Sequence, residues 1–422
     1  MTSPAADDAA SAVADAHRRE WAFVLAATAR FAGDIDLAEE CVQDAYVAAL
    51  EAWARQGVPR NPGAWLTTAA RNRAIDRLRR ETTLRRKLPL LIEPDAGAAT
   101  GAPRPGQGDE MIPDDRLRLV FTCCHPALAR EAQVALTLRL VCGLSTAEIA
   151  QAFLVPEPTM AARVTRAKKK ISAARIAYRV PAPAELPDRL DAVLTVVHLL
   201  YTTGHTAPGG GQLVRGDLVE RAFGLARMLS QLMPDEPEVR GLLALLLLTD
   251  ARRATRCAPD GRLLLLEDQD RSQWDRPAID EGVALVTGAL RGGRPGRFAL
   301  QAAIAALHAA APSYASTDWR QIVRLYDLLG QVWASPVVTL NRAVAVAMAD
   351  GPESGLDEIG ALERDGRLAG YRYLPAVKAD LLRRLGRRQE AAEAYRAALG
   401  LTANEAERQF LTGRLAEVTG SA

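Results

Sequence analysis

The 422-residue sequence predicts an all-α protein. Beyond about residue 185 the chain is rich in Ala and Leu, and almost free of the β-branched alternation that marks strands. Helix-start signals recur, the clearest being Ser145 three residues before Glu148. Gly and Pro gather at the breaks between helical patterns rather than inside them.

Composition narrows the class. With 49% hydrophobic and 25% charged residues the chain is globular, of two to four domains at roughly 100–200 residues each. A formal net charge of +2 means that attraction to a polyanion must come from local patches. Cys41, Cys123, Cys124, Cys142 and Cys257 form no CxxC pair and are odd in number. That pattern speaks against a disulfide framework and fits a reducing compartment. The acidic start MTSPAADDAASAVADA lacks the basic and apolar regions of a signal peptide. The apolar run Gly241–Leu248 is far short of the roughly 20 residues that span a bilayer. A cytoplasmic protein without membrane contact is expected.

Four zones follow in order. Residues 15–87 read as helices interrupted at Gln56-Gly-Val-Pro-Arg-Asn-Pro-Gly63. Residues 88–113, with PDAGAATGAPRPGQGDE, read as a flexible linker. Residues 114–180 form a second helical unit closed by Pro181-Ala-Pro183, and residues 185–422 a larger helical domain.

Chemistry concentrates in three stretches. In LSTAEIAQAFLVPEPTMAARVTRAKKKI the capping box starts a helix at Ser145. Leu154-Val155-Pro156 makes the turn, and Pro158 suits the first turn of a second helix. Met160, Val164, Ala167 and Ile171 form its buried stripe. Arg163, Arg166 and Lys170 fall on another face, joined by Lys168, Lys169, Arg175 and Arg179, with no acid from Ala161 to Arg179. Two short helices, a tight turn and a basic second helix describe a helix-turn-helix, whose charge meets phosphates. A similar basic helix follows Pro62, with Trp65, Leu66, Ala69, Ile75 and Leu78 on its apolar side. Arg71, Asn72, Arg77 and Arg80 are left for a polyanion. Upstream, Asp34 to Tyr46 carries five acids and no Lys or Arg, so it suits a basic protein partner rather than DNA. Two basic helices flanking a linker suggest two DNA contacts at adjustable separation.

DLAEECVQDAYVAALEAW with NPGAWLTTAARNRAIDRLRR resembles region 2 of a bacterial extracytoplasmic-function sigma factor. The stretch DDRLRLVFTCCHPALAREAQVALTLRLVCGLSTAEIAQAFLVPEPTMAARVTRAKKKI resembles region 4. The resemblance implies a subunit that binds core RNA polymerase and directs it to promoter DNA. It implies core-polymerase contacts on Asp36–Ala49, through Asp36, Glu40, Gln43 and Asp44. It implies minus-ten contacts on Arg60–Arg80, through Asn61, Trp65, Arg71, Asn72, Arg77 and Arg80. Asn61 and Trp65 stand near the pocket for an exposed base, although a tryptophan of this kind is more often core. It implies minus-thirty-five contacts through Thr159, Arg163, Arg166, Lys168 and Lys170. Ala161 and Ala162 stand where many family members have polar residues, so base reading falls on Thr159, Arg163 and Arg166.

A minimal factor of this kind ends near residue 180. Beyond it, Gly386, Ala391, Tyr395 and Ala398 resemble the end of a tetratricopeptide repeat. There the small residues let helices approach and the Tyr fills the space between them. Ala403 stands in place of the closing proline, and Asn341–Gly351 resembles a degenerate second helix pair. Together with FTCCHPAL and LTVVHLLYTTG, this resembles the sigma-factor group with a tetratricopeptide-like extension. The resemblance implies a C-terminal domain that regulates the factor in cis, with a regulatory protein as its further partner. A purely structural extension is the bland alternative.

No enzyme chemistry is expected, and no cofactor or metal. Cys123-Cys124-His125 offers adjacent thiols without a completing pair, so buried cysteines at a helix start are the expectation, with a redox switch as the lesser one. Gly204 suggests that a helix ends between His198 and His205. A stand-alone helix-turn-helix regulator with a protein-binding array is the runner-up, against which the acidic Asp34–Asp44 segment speaks. A third reading, an enzyme behind a DNA-binding front, requires a deep polar pocket lined by His198, His205 or Asp268.

Overall fold

The computed structural model describes residues 4–87, 115–153, 155–182, 184–207, 213–291 and 293–420. Helices dominate, and an isolated antiparallel β bridge pairs Cys257 with Leu263. The chain divides into two compact units, residues 1–196 and 197–422. The linker expected over 88–113 lies outside the described residues, as does Leu154 of the turn.

In the first unit α1 (Pro4–Ala32), α2 (Ile35–Gln56) and α3 (Pro62–Lys87) pack on one another. Local chemistry sets their ends. Gly33 takes φ +70° after α1, and the Asp34 carboxylate then accepts from the Leu37 N–H at 2.9 Å to start α2. Asn61 accepts from the Ala64 N–H at 3.0 Å, and Pro62 begins α3, where its missing N–H costs nothing. Val24, Leu25, Cys41, Val42, Leu66, Ala70 and Ala74 fill the space between the three.

Next come α4 (Asp115–Cys123), α5 (Arg130–Leu136) with a wider π turn at Thr137–Val141, α6 (Thr146–Ala152) and α7 (Glu157–Ala173). The capping box forms as expected: Glu148 N–H donates to Ser145 Oγ at 3.2 Å, and Ser145 N–H to Glu148 Oε2 at 2.7 Å. Met160, Val164, Ala167 and Ile171 are all buried. Cys123 closes α4, so the paired cysteines stand at a helix end and not at a helix start. Both are buried. Burial pushes the Cys123 thiol well up, and the Cys124 thiol, 3.4 Å from Thr137 Oγ1, up to about 11. Such thiols are poor nucleophiles.

Helix α8 (Leu186–His205) begins in the first unit and ends in the second. Its early turns belong with the first: Leu190 and Val193 are buried, and the Arg189 guanidinium donates to the Phe121 carbonyl at 2.6 Å. The helix does not end before His205. Gly204 is there because α9 (Gly216–Leu232) presses against it; an added Cβ would stand 2.9 Å from both Leu218 Cβ and Val219 N. Close approach, not helix breaking, selects this glycine.

The second unit continues with α10 (Pro237–Asp250), α11 (Arg276–Leu290), α12 (Arg297–Ala310), α13 (Trp319–Val332), α14 (Pro336–Ala349), α15 (Pro352–Asp365), α16 (Tyr373–Arg384), α17 (Arg388–Leu401) and α18 (Glu405–Thr419). Its cores succeed one another along the chain. Leu300, Ile322, Leu329 and Val338 join α12–α14; Leu340, Ala343, Ile359 and Leu381 join α14–α16; Leu382, Ala391, Tyr395 and Leu411 join α16–α18. Helix α14 thus serves two cores, from Val338 and Ala345 on one and Leu340, Ala343 and Ala347 on the other. Ala391, Tyr395 and Ala398 are buried as expected of a closely packed pair. Gly386 is not part of that contact. It sits at φ +73° in the turn between α16 and α17, with open space where a Cβ would be, and is selected for its left-handed backbone.

Helices α10 and α12 cross closely. A Cβ on Gly241 would stand 2.5 Å from Ala299 N and 2.8 Å from its Cα, atoms that cannot move aside alone. Gly241→Ala is expected to lower unfolding stability by about 1–3 kcal/mol through overpacking. Gly288→Ala on α11, where only the end of Arg240 comes within 3.8 Å, should be neutral or stabilising. Urea midpoints check this: equal midpoints for the two variants would mean that the α10–α12 spacing is not fixed by the glycine.

Candidate nucleic-acid and protein interface

The residues expected to touch partners form two surfaces on the first unit. On α2, Asp36, Glu40, Gln43 and Asp44 are exposed. Glu40, Gln43, Val47 and Leu50 follow at steps of three, four and three, so they share one face. Val47 is 60% and Leu50 43% exposed, which leaves an apolar strip open to solvent beside the carboxylates. Reading the acids alone missed these two residues, although their spacing was available in the sequence.

On α3 the Asn61 side chain is occupied as the helix cap described above. Trp65 is half-buried and meets Trp53 edge-on, ring centroids 5.8 Å apart. Arg71 lies over the Phe31 ring at 5.0 Å, while Asn72 and Arg80 are exposed. Arg77 is committed: its guanidinium forks between the Glu40 carboxylate and Asp44 Oδ2, the latter at 2.8 Å. The acidic face of α2 and the basic face of α3 therefore share an edge.

On α7, Thr159, Arg166 and Lys170 are exposed and Arg163 is partly so. Among the described residues none of Arg163, Arg166 and Lys170 forms an ion pair with another helix; Arg166 turns to the Ala162 carbonyl of its own, at 3.2 Å. Lys168 departs from the expectation. Instead of adding to the outward basic face it turns to α2, with Nζ 2.7 Å from Asp36 Oδ1 and 2.6 Å from Glu39 Oε2. Burial opposes its charge, but the Glu39 and Asp36 carboxylates outweigh that and raise the ammonium above the ordinary lysine value. Arg139 reaches the same Glu39 carboxylate from the π turn at 2.7 Å.

Glu39 is 4% exposed, so this is a charge cluster inside the unit rather than a solvated pair. Further contacts join the same two halves. Trp21 Nε1 donates to the Leu140 carbonyl at 3.0 Å, and the Tyr178 hydroxyl donates to the Ala26 carbonyl at 3.0 Å. Gly143, at φ +71°, brings its backbone against His17 and Trp21. The two basic helices expected to sit at adjustable separation here belong to one packed unit.

In the second unit a polar cavity of about 500 Å³ is lined by Arg227, Asp250, Arg253, Asp275 and Glu281, among others. None of His198, His205 and Asp268 lines it. His198 meets the Phe298 ring edge-on, His205 is stacked on Tyr201, and Asp268 is exposed on a short 3-10 turn. The three are not brought together. Among the described residues no three His, Cys, Asp or Glu side chains form a metal-holding group, and no helix is long and apolar enough to cross a membrane.

An acid-faced three-helix module followed by a helix-turn-helix module defines a sigma-70 factor. Residues 17–83 match the family model for sigma-70 region 2, residues 118–171 that for sigma-70 region 4, and residues 189–290 a family of unknown function, DUF6596. The chain belongs to the extracytoplasmic-function-like sigma-70 factors that carry a C-terminal extension, and its sigma domains serve promoter-specific initiation with core RNA polymerase and promoter DNA. An uncharacterized protein of Rhizobium meliloti (strain 1021) is 43% identical over 393 residues, covering 93% of this chain and 92% of that one. No solved structure matches the chain.

Proposed function

We propose that the chain is a sigma factor held in a closed form by its own regions, and that residues 185–422 act as a tetratricopeptide-like domain regulating it in cis. Residues 15–87 dock on core polymerase through Asp36, Glu40, Gln43 and Asp44, with Val47 and Leu50 adding apolar area. They engage the minus-ten element through Trp65, Arg71, Asn72 and Arg80, through Asn61 by the amide N–H groups its capping oxygen leaves free, and through Arg77 once polymerase takes Glu40 and Asp44 from it. Residues 114–180 engage the minus-thirty-five element through Thr159, Arg163, Arg166, Lys168 and Lys170, and residues 88–113 link the two.

The observation that carries the closed form is the Lys168–Glu39–Arg139 cluster. A cation of the DNA-reading helix is spent on the helix meant for polymerase. Core polymerase competes for the same α2 surface, so docking frees Lys168 for phosphate, and the two binding events favour each other. The overlapping cores of α12–α18 support the repeat reading, because each helix pair buries its apolar face on the next.

The test is run-off transcription with core enzyme by the full chain and by a chain ending at Val196. That cut keeps Arg189, Leu190 and Val193, which the first unit uses; one at Val180 would strip them. Altered activity or promoter choice is expected. Equal activity and promoter choice would end the regulatory reading, and failure of the full chain to bind core enzyme would favour a stand-alone DNA-binding regulator.

A further inference from the structure

Three elements of the second unit meet at one sulfur. Met348, in the last turn of α14, is partly exposed. Its Sδ accepts from the Tyr314 hydroxyl at 3.6 Å and from Arg384 Nη1 at 3.2 Å. Tyr314 stands in the loop between α12 and α13, edge-on to Trp319 with ring centroids 5.6 Å apart, and Arg384 is the last residue of α16.

The acceptor is poor for such donors. A thioether sulfur accepts only weakly, yet among the described residues it is the hydrogen-bond partner of both the Tyr314 hydroxyl and the Arg384 guanidinium. Neighbouring arginines have carboxylates instead, Arg383 on Asp380 at 2.7 Å and Arg387 on Glu390 at 2.5 Å. Asp380 is thereby taken, and the other carboxylate that acts on Tyr314, Glu267, does not accept its hydroxyl. Burial, with Glu267 adding to it, raises the Tyr314 phenol above its ordinary value, so it remains a donor at neutral pH.

Met348 also lies where two cores join. Helix α14 packs on α12 and α13 through Val338 and Ala345, and on α15 and α16 through Leu340, Ala343 and Ala347. Tyr314 belongs to the loop of the first pair and Arg384 to the end of the second. Met228, partly exposed as well, has no such donors among the described residues, and Met160 and Met233 are buried.

An oxygen on the Met348 sulfur stands between two donors already aimed at it. We propose that Met348 is an oxidation site, at which a hydroperoxide converts the thioether to a sulfoxide whose oxygen takes up the Tyr314 and Arg384 hydrogen bonds. A sulfur lone pair attacks the terminal peroxide oxygen, and the O–O bond breaks as the S–O bond forms. The departing oxygen takes the proton of the transferred one and leaves as water or an alcohol. Sulfur gives up two electrons and the peroxide gains them. Sulfoxide formation ordinarily disrupts packing, because it makes an apolar side chain polar. Here the new oxygen gains one neutral and one charge-assisted hydrogen bond. Oxidation therefore ties the α12–α13 loop to α16 across the end of α14 and stiffens the second unit. This goes beyond the regulatory reading, and it is measurable whether or not the extension controls transcription.

The experiment treats the full chain with hydrogen peroxide, locates sulfoxide by peptide mass spectrometry and follows thermal unfolding by circular dichroism. Every chain carries Cys257→Ser, since the other four cysteines are buried and this thiol is partly exposed. Sulfoxide is expected at Met348 before Met160 and Met233, with a rise in melting temperature of about 2–4 °C. Met348→Leu should abolish the rise. Tyr314→Phe with Arg384→Ala should turn it into a fall, because the sulfoxide then lacks its donors. Reduction by methionine sulfoxide reductase should restore the starting temperature. The proposal is overturned if Met348 stays unoxidised while Met160 or Met233 reacts, or if its oxidation leaves the melting temperature unchanged or lower. A rise that persists in Met348→Leu or in the double variant also overturns it. Should the double variant not fold, Arg384→Ala alone, at an exposed position, must still diminish the rise; an undiminished rise counts against the proposal in the same way.

Discussion

Glu39→Ala is expected to loosen the two halves of the first unit and to raise the affinity of the free chain for minus-thirty-five duplex about tenfold, the equivalent of ~1.4 kcal/mol. Glu39 is buried and holds Lys168 and Arg139 within 2.6 and 2.7 Å. Removing one partner of a buried pair costs about 3–5 kcal/mol when the other stays buried. Here the cations can escape by separating, so the loss is limited to the free energy that keeps the halves together. The Trp21 and Tyr178 hydrogen bonds remain and keep the opening partial. Asp36→Ala is the comparison. Its side chain is 55% exposed, and such a pair contributes about 0–1 kcal/mol. Small-angle scattering and duplex titration of both variants measure the effect. Identical behaviour of the two, or no change with Glu39→Ala, would mean that the buried cluster does not govern opening.

The second large effect is on DNA. Arg163→Ala with Arg166→Ala should weaken promoter binding by the polymerase complex about a hundredfold, taking ~1–3 kcal/mol per contact. The salt dependence of binding should become shallower by about two units of slope if both arginines meet phosphates. The fold should tolerate the change within about 0.5 kcal/mol, because Met160, Val164, Ala167 and Ile171 hold α7 down and alanine is a good helix former. Lys168→Ala separates the two roles: it should release α2 as well as remove a DNA contact. Affinity unchanged by the double substitution would move DNA reading away from this helix face.

Local signals made much of the first unit legible. The Ser145–Glu148 box, Pro158 in the first turn of α7 and the Met160 stripe each act within a turn or two of helix, so the sequence carries them in full. Asn61 also carried a readable cap signal, followed as it is by Pro62. Val47 and Leu50 were legible by spacing from Glu40 and Gln43, but a search for acids passed over them. Gly204 and Gly386 show where glycine is ambiguous. One permits a close helix crossing and the other a left-handed turn, and only the neighbouring chain distinguishes these.

What the sequence determined by itself was the all-α class, the two sigma modules in order and the helical nature of the extension, because periodicity, caps and turns are short-range. What the tertiary structure decided was which charges are free. Lys168 lies 132 residues from Asp36 in the chain, and Arg384 reads as one more basic residue at a helix end. Whether a charge faces water, a buried carboxylate or a sulfur depends on residues brought together by folding, and electrostatic energy follows that separation in space rather than separation along the chain.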